Sequence, residues 1–168
     1  MGEKMKKILV INTGGTFNKV YNPLTGTLDI DKKGEALKIL QERWLHSFKI
    51  INIVGKDSLE MTQKDREEIY QTIKKVKVKR VIIIHGTDTI HETANYLDQK
   101  KLKKRIVLTG AMVPFSVNPL EAVANFSSAY GFILGCIKNT IYIGMNGKIK
   151  DYKRVVKNKE KGYFVETK

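Results

Sequence analysis

Apolar positions along this chain come in short, nearly unbroken runs separated by longer amphipathic stretches. Lys7–Asn12, Lys49–Val54, Arg80–His85, Arg105–Thr109 and Thr140–Met145 are dominated by Ile, Val and Leu, the pattern of strands covered on both faces. Between them, Lys33–Arg43, Thr62–Lys77, Thr89–Lys101 and Pro119–Ile137 read as helices. In the second helix Ile69, Ile73 and Val76 share one stripe, with Thr62 at the N-cap and Asp65 at the capping-box position. Strands alternating with helices predict an α/β fold, a doubly wound and mostly parallel sheet with helices on both faces. In such a sheet the ligand crevice lies at the carboxyl ends of the strands. Asn146-Gly147, set between Thr140–Met145 and Lys148–Asp151, predicts a C-terminal hairpin that ends the parallel run.

Length and composition narrow this picture. At 168 residues and 42% hydrophobic content, the chain suits one well-filled domain, and no repeat or linker interrupts it. Its net charge is +14, from 31 Lys and Arg against 17 Asp and Glu. The basic residues are scattered, with modest clusters at Lys74–Arg80, Gln99–Arg105 and Lys148–Lys161. They are not interleaved with aromatics in any RNA-binding signature, so they read as a solvated surface and nucleic acid is not an expected partner. Cys136 is the single cysteine. It excludes an internal disulfide, suits a reducing cytoplasm and reads as a core-packing residue. The apolar run after the basic N-terminus is too short for a signal-peptide core or a membrane span.

The loops after the strands carry the candidate chemistry. Thr13-Gly14-Gly15-Thr16, His85-Gly86-Thr87-Asp88-Thr89 and Gly110-Ala111-Met112 each follow an apolar run, so a parallel sheet brings all three to one edge. Gly14 and Gly15 are adjacent without a GxGxxG spacing, and no Gly-Lys-Ser/Thr ending follows. Dinucleotide and P-loop readings are therefore set aside. A threonine hydroxyl among glycine amides suits attack on a carbonyl, with backbone donors facing the developing oxyanion. A neutral hydroxyl needs a base to remove its proton, and the first loop offers Tyr21, with Lys19 nearby, while the second turn offers Asp88.

Taken in order, TGGTF, DSLEMT, HGTDTIHETANYL, LTGAM and EAVANFSSA resemble the N-terminal domain of bacterial-type L-asparaginases, over essentially the whole chain. The resemblance implies an amidohydrolase that converts L-asparagine to L-aspartate and ammonia through an acyl-enzyme. Thr16 matches the family's nucleophile and Tyr21 the tyrosine that activates it. Thr87, Asp88 and a lysine match the second catalytic group, and aligning DYKRVVK with the family's corresponding segment places that lysine at Lys157. Gly15, Ser58, Thr87, Asp88 and Ala111 match substrate contacts, with Asp88 suited to the α-amino group. Lys157 acts either as base or as fixed charge, and Lys19 is a candidate supporting charge for Tyr21.

The chain stops near Phe164–Thr167, where the usual enzyme continues into a second domain. A short single-domain form without that C-terminal domain, associating as a homodimer or higher homo-oligomer to cover its site, is therefore expected. Departures from the pattern are Leu59 at a usually polar contact, Glu121 for an aspartate, and a closer spacing of Tyr21 to Thr16. No metal or organic cofactor is called for, and His46, His85 and His91 are too dispersed for a zinc site. The plainer alternatives are a helix cap at Thr89, a loop-packing Tyr21, a turn residue at Ser58 and a solvated Lys157. Glutaminase, a tRNA-linked amidotransferase-type module and a non-catalytic amino-acid-binding domain are the rival functions.

Overall fold

In β1 (Ile8–Gly14) all seven residues are buried, and every other strand of the main sheet is placed relative to it. The computed structural model describes residues 8–44 and 48–167, so Lys7 and His46 lie outside the described residues. After β1 come a hairpin of β2 (Lys19–Asn22) and β3 (Thr27–Ile30), then α1 (Glu35–Trp44) and β4 (Lys49–Lys56). The chain continues through α2 (Gln63–Lys75), β5 (Arg80–Ile84), α3 (Ile90–Gln99), β6 (Arg105–Thr109), α4 (Pro119–Gly135) and β7 (Ile141–Met145). It ends with β8 (Lys148–Asp151) and a second hairpin of β9 (Val155–Asn158) and β10 (Tyr163–Glu166).

The six-stranded sheet has the order β4-β1-β5-β6-β7-β8, parallel except for the antiparallel β7–β8 pair. Successive strands run to one side of β1 at β4 and to the other from β5 onward. The order therefore reverses between β1 and β5, and such a reversal opens a crevice at the carboxyl edge.

Strand alternation divides the core cleanly. Leu9, Ile11, Val81, Ile83, Ile106 and Leu108 face α2 and α3, where Ile69, Ile73, Ala94 and Leu97 cover them. Val10, Ile82, Ile84 and Val107 face α1 and α4, against Leu37, Leu40, Phe126 and Ile133. Burial on both faces explains why these strands carry apolar runs in place of alternating patterns.

Helix α2 begins as its sequence predicts. The Thr62 hydroxyl accepts from the Asp65 amide at 3.3 Å, and the Asp65 carboxylate accepts from the Thr62 amide at 2.7 Å, completing a capping box. Three boundaries differ from expectation. Helix α1 starts at Glu35 because Asp31 accepts from the amides of Lys33 and Glu35 and fixes the preceding turn. Helix α4 ends at Gly135, so Cys136 sits half-buried at the helix end, its thiol donating to the Tyr142 hydroxyl at 3.3 Å. That corrects the core-packing reading of Cys136. Strand β4 runs on to Lys56 through Val54 and Gly55, with φ of 64° and 62°, where the register against β1 shifts. Neither outer hairpin is visible in the periodicity, because β2, β3, β9 and β10 are short and largely exposed.

Ile83 lies fully buried in a central strand. Ile83→Ala is expected to lower the unfolding free energy by about 2–5 kcal/mol through cavity formation, measured by urea titration.

Candidate active site

The first threonine turn is assembled by amide side chains before any substrate is involved. Asn18 donates to the Asn12 side-chain oxygen at 2.8 Å and to the Gly14 carbonyl at 2.7 Å. Thr13 donates its hydroxyl to the Ile84 carbonyl at 2.7 Å, which ties β1 to β5 and removes Thr13 from consideration as a nucleophile. Gly15 sits at φ 73°, a left-handed conformation that favours glycine. Its amide donates to the Lys56 carbonyl at 3.0 Å and its carbonyl accepts from the Asn18 amide at 3.1 Å. Both of its backbone polar groups are thus used inside the turn. The unusual φ of Val54 has a local counterpart here, since the register shift it accompanies brings the Lys56 carbonyl to Gly15.

The turns then stack backbone on backbone. A Cβ at Gly15 would lie 2.5 Å from the Gly86 nitrogen, and a Cβ at Gly86 would lie 2.6 Å from Ser58 Cβ. Neither glycine can carry a side chain without parting the turns. This close approach brings the loops after β1, β4 and β5 together, with Thr16 and Thr87 on the two sides of the β1–β5 junction. The loop after β6 closes on the same place. Phe115 stacks on buried Phe17 with centroids 6.2 Å apart, and Ser116 donates to the Lys19 carbonyl at 2.7 Å.

Around Thr87 the sequence-predicted group meets. Lys157, delivered by β9, donates to Thr87 Oγ1 at 2.9 Å and to Asp88 Oδ1 at 2.6 Å. The lysine side chain is only 12% exposed, so the solvated-tail reading of Lys157 does not hold. The Thr87 hydroxyl donates to the Met112 sulfur at 3.2 Å. The thioether is a weak acceptor, which leaves that proton available to a better one. Ser58 is 1% exposed, and its hydroxyl is buried without a partner among the described residues. Such a group calls for a ligand acceptor or donor. Thr89 donates to the Ser58 carbonyl at 2.8 Å and makes no side-chain cap, so the capping reading of Thr89 gives way to a loop-linking one.

Other predicted residues stand further from this geometry. Tyr21 is 64% exposed on β2, and its hydroxyl has no partner among the described residues. Lys19 pairs with Asp57 at 2.9 Å. Burial acts to raise the Asp57 carboxyl, but Lys19 and the amides of Leu59 and Ser58 hold it below its ordinary value. Ala111 is fully buried, its methyl in the core against α4, so any contact it offers is through backbone.

Three supports were not foreseen from the sequence. Glu121 accepts from the amides of Met112 and Val113, both at 3.0 Å, and so holds the loop that presents Met112. Asn125 donates to the Gly110 carbonyl at 2.9 Å and accepts from the Asn146 amide at 3.0 Å. His85 is fully buried, and the Gly86 carbonyl, 2.7 Å from Nδ1, requires that nitrogen to carry the proton. Nε2 then accepts from Thr93 at 2.7 Å, which in turn accepts from Arg66 at 3.2 Å. This chain of hydrogen bonds anchors the turn that carries Thr87. The HGTDT motif was the available signal, but nothing local indicates that its histidine points inward. Among the described residues, no group of three or more His, Cys, Asp or Glu is placed to hold a metal.

Comparison with known proteins rests on this geometry. A family model described as "Asparaginase, N-terminal" matches residues 7–163. The chain belongs to the asparaginase family. It is 29% identical over 141 residues to a probable periplasmic L-asparaginase of Haemophilus influenzae, covering 74% of this chain and 38% of that protein. It is 27% identical over 157 residues to a glutamyl-tRNA(Gln) amidotransferase subunit of Methanococcus maripaludis, covering 88% and 37% respectively. The crystal structure of a probable cytoplasmic L-asparaginase from Campylobacter jejuni superposes with a TM-score of 0.80 at 28% identity, covering 95% of this chain and 53% of that one. The chain thus spans about half or less of the length of these asparaginase-family proteins.

Burial dominates the pull on the His85 pKa, with Arg66 adding to it and the Gly86 hydrogen bond opposing, and the folded value falls from 6.5 to about 4. Between those values the unfolded chain binds the extra proton. Stability is therefore full above pH 6.5 and is lost as pH falls toward 4, by up to about 1.4 kcal/mol per unit. His85→Gln is expected to flatten that slope in unfolding titrations between pH 7 and 4.5.

Proposed function

We propose that this asparaginase-family chain hydrolyses the side-chain amide of L-asparagine to L-aspartate and ammonia. The observation that carries the reading is the Lys157 ammonium lying 2.9 Å from Thr87 Oγ1 and 2.6 Å from Asp88 Oδ1. Thr87 and Asp88 stand on a turn whose Gly86 packs against Gly15, next to Thr16.

In this reading Thr16 Oγ attacks the amide carbon and its proton passes through Tyr21 to the leaving nitrogen. The tetrahedral intermediate collapses to an ester, ammonia departs, and water repeats the attack to free Thr16 and the aspartate. Tyr21 reaches Thr16 when the exposed β2–β3 hairpin closes over bound substrate, a motion of the kind that excludes water from many sites. Lys157 serves as a fixed charge that polarises Thr87, with Asp88 offering its carboxylate to the substrate ammonium. The unpartnered Ser58 hydroxyl suits the α-carboxylate. Gly15 acts as a spacer, and the amides of Thr16 and Thr87, which have no acceptor among the described residues, suit the oxyanion. The mechanism requires neither metal nor organic cofactor.

Leu24, Leu59, Leu120, Val117 and Tyr21 are between 63% and 93% exposed, on the β2–β3 hairpin, the turn after β4 and the connection from β6 into the first turn of α4. Such apolar exposure fits a covering partner, which supports a homodimer or higher homo-oligomer. No helix among the described residues is long and apolar enough to cross a membrane, and the lone Cys136 suits the cytoplasm. A second reading, an amidase acting on an amide carried by tRNA, is favoured by the amidotransferase relative that matches 88% of this chain.

Ammonia release from L-asparagine, L-glutamine and D-asparagine tests these readings together. Thr16→Ala and Thr87→Val are each expected to lower kcat for L-asparagine by about 10³-fold or more. Ser58→Ala is expected to act mainly on KM. Activity unchanged by both threonine substitutions sinks the assignment, and a monomeric solution mass of the active protein sinks the covering partner.

A further inference from the structure

The edge of the sheet opposite the threonines has a different character. Residues 74–80 and 100–105 hold ten basic side chains and no acidic one. They are separated in sequence, but the fold sets them side by side. The first leads from α2 into β5 and the second from α3 into β6, and these strands are parallel neighbours with Arg80 paired to Arg105. The Arg105 amide donates to the Lys79 carbonyl at 2.9 Å, and the Ile106 amide to the Thr140 carbonyl at 3.1 Å. The start of β7, with Lys138 before it, thus joins the same edge. Neighbouring strands lie ~4.8 Å apart, so three strand starts span about 10 Å.

Some of these cations have internal work. Lys104 donates to the Val76 and Val78 carbonyls at 2.5 and 2.8 Å beyond the end of α2, and Lys100 pairs with Glu67. Lys75, Lys77, Lys79, Lys101, Lys103 and Lys138 are exposed and have no ion-pair partner among the described residues. Two carboxylates lie nearby: Asp98, engaged by Lys153 and Tyr152, both at 3.0 Å, and also felt by Lys101, and Asp151, which accepts from the Thr140 hydroxyl at 3.4 Å. Lysines outnumber carboxylates at this edge, and the resulting charge repulsion is relieved by a polyanion.

We propose that this basic edge docks the phosphate backbone of a double-stranded nucleic acid. The exposed aromatics Tyr21 and Tyr163 lie on the β2–β3 and β9–β10 hairpins, away from these lysines. The half-buried Tyr70 and Tyr96 do lie beside them, but the Lys74 and Lys100 ammoniums cover their rings at 4.7–5.7 Å, so base stacking of a single strand has no open platform here. Ile137 is a lone exposed apolar side chain beside Lys138, whereas an anionic membrane surface is bound by a whole apolar face. Phosphate binding by lysine is sequence-independent and depends on salt. Five residues of β5, each rising about 3.3 Å, separate this edge from Thr87, so a docked duplex leaves the threonine site open. This expectation departs from the scattered-surface reading of the sequence, because parallel strand order gathers two of its clusters.

Fluorescence anisotropy with a labelled RNA duplex of about 20 base pairs, and a DNA duplex of the same sequence, tests the proposal across ~50–200 mM salt. Wild type is expected to lose about 10²–10³-fold in affinity over that range. The quadruple variant Lys77→Gln, Lys79→Gln, Lys101→Gln, Lys103→Gln is expected to bind at least ~10-fold more weakly, with a salt slope shallower by about 0.9 for each phosphate it no longer neutralises. Circular dichroism verifies its fold. Lys159→Gln with Lys161→Gln, on the β9–β10 hairpin, is expected to leave binding intact. Absence of salt-dependent binding, an equal loss in the Lys159/Lys161 variant, or tighter binding to phosphatidylserine vesicles than to either duplex would each overturn the proposal. None of these readouts depends on amide hydrolysis.

Discussion

The constraint on which the site depends is the close approach of two glycine turns at the carboxyl edge of the sheet. Gly15 and Gly86 touch so nearly that a single Cβ on either would meet a neighbouring turn at 2.5–2.6 Å. Through this approach the turns that carry Thr16 and Thr87, one after β1 and the other after β5, lie side by side. Everything around it serves to hold backbone rather than side chains. Thr13 ties β1 to the Ile84 carbonyl, Thr109 ties β6 to the Gly144 carbonyl at 2.6 Å, and His85 anchors the Gly86 carbonyl from below. A turn held at this many points positions a hydroxyl with little further ordering when substrate arrives.

The two threonines sit in unequal surroundings. Thr87 is 6% exposed and bonded on both sides, by Lys157 and by Met112. Thr16 follows the turn directly and leads into a hairpin whose strands are mostly exposed. One side is therefore charged and held by hydrogen bonds, and the other leads into the exposed β2–β3 hairpin. That asymmetry suits the amide hydrolysis we propose, in which a fixed charge polarises on one side and Tyr21 closes over the attacking Thr16 on the other.

Charge and apolar surface are also segregated along the strand direction. Exposed leucines, valines and tyrosines gather on the loops at the carboxyl edge, with Ile39 and Ile137 standing elsewhere. Lys75, Lys77, Lys79, Lys101, Lys103 and Lys138 cluster at the opposite edge, with the exposed Lys32, Lys33, Lys159 and Lys161 standing elsewhere. A parallel sheet produces this polarity naturally, since all its strand starts share one edge and all its strand ends the other. The two edges are then free to serve different partners.

Much of this was present in the linear pattern. Apolar runs of Ile and Val marked the parallel strands, Thr62 with Asp65 marked a helix start, and Asn146-Gly147 marked the turn into β8, because each signal is local. Motif resemblance likewise pointed to Thr16, Thr87, Asp88 and Lys157. What the chain alone did not determine is everything that depends on which segments become neighbours. The β2–β3 and β9–β10 hairpins, the pairing of Lys19 with Asp57, the inward histidine and the hold of Glu121 on the Met112 loop all join residues with no shared periodicity. Spacing in sequence carries no information about such neighbours, and packing decides them. The two opening glycine turns illustrate the division. Their residues announced a tight turn and a hydroxyl, but only the sheet, by placing β5 directly beside β1, made them neighbours.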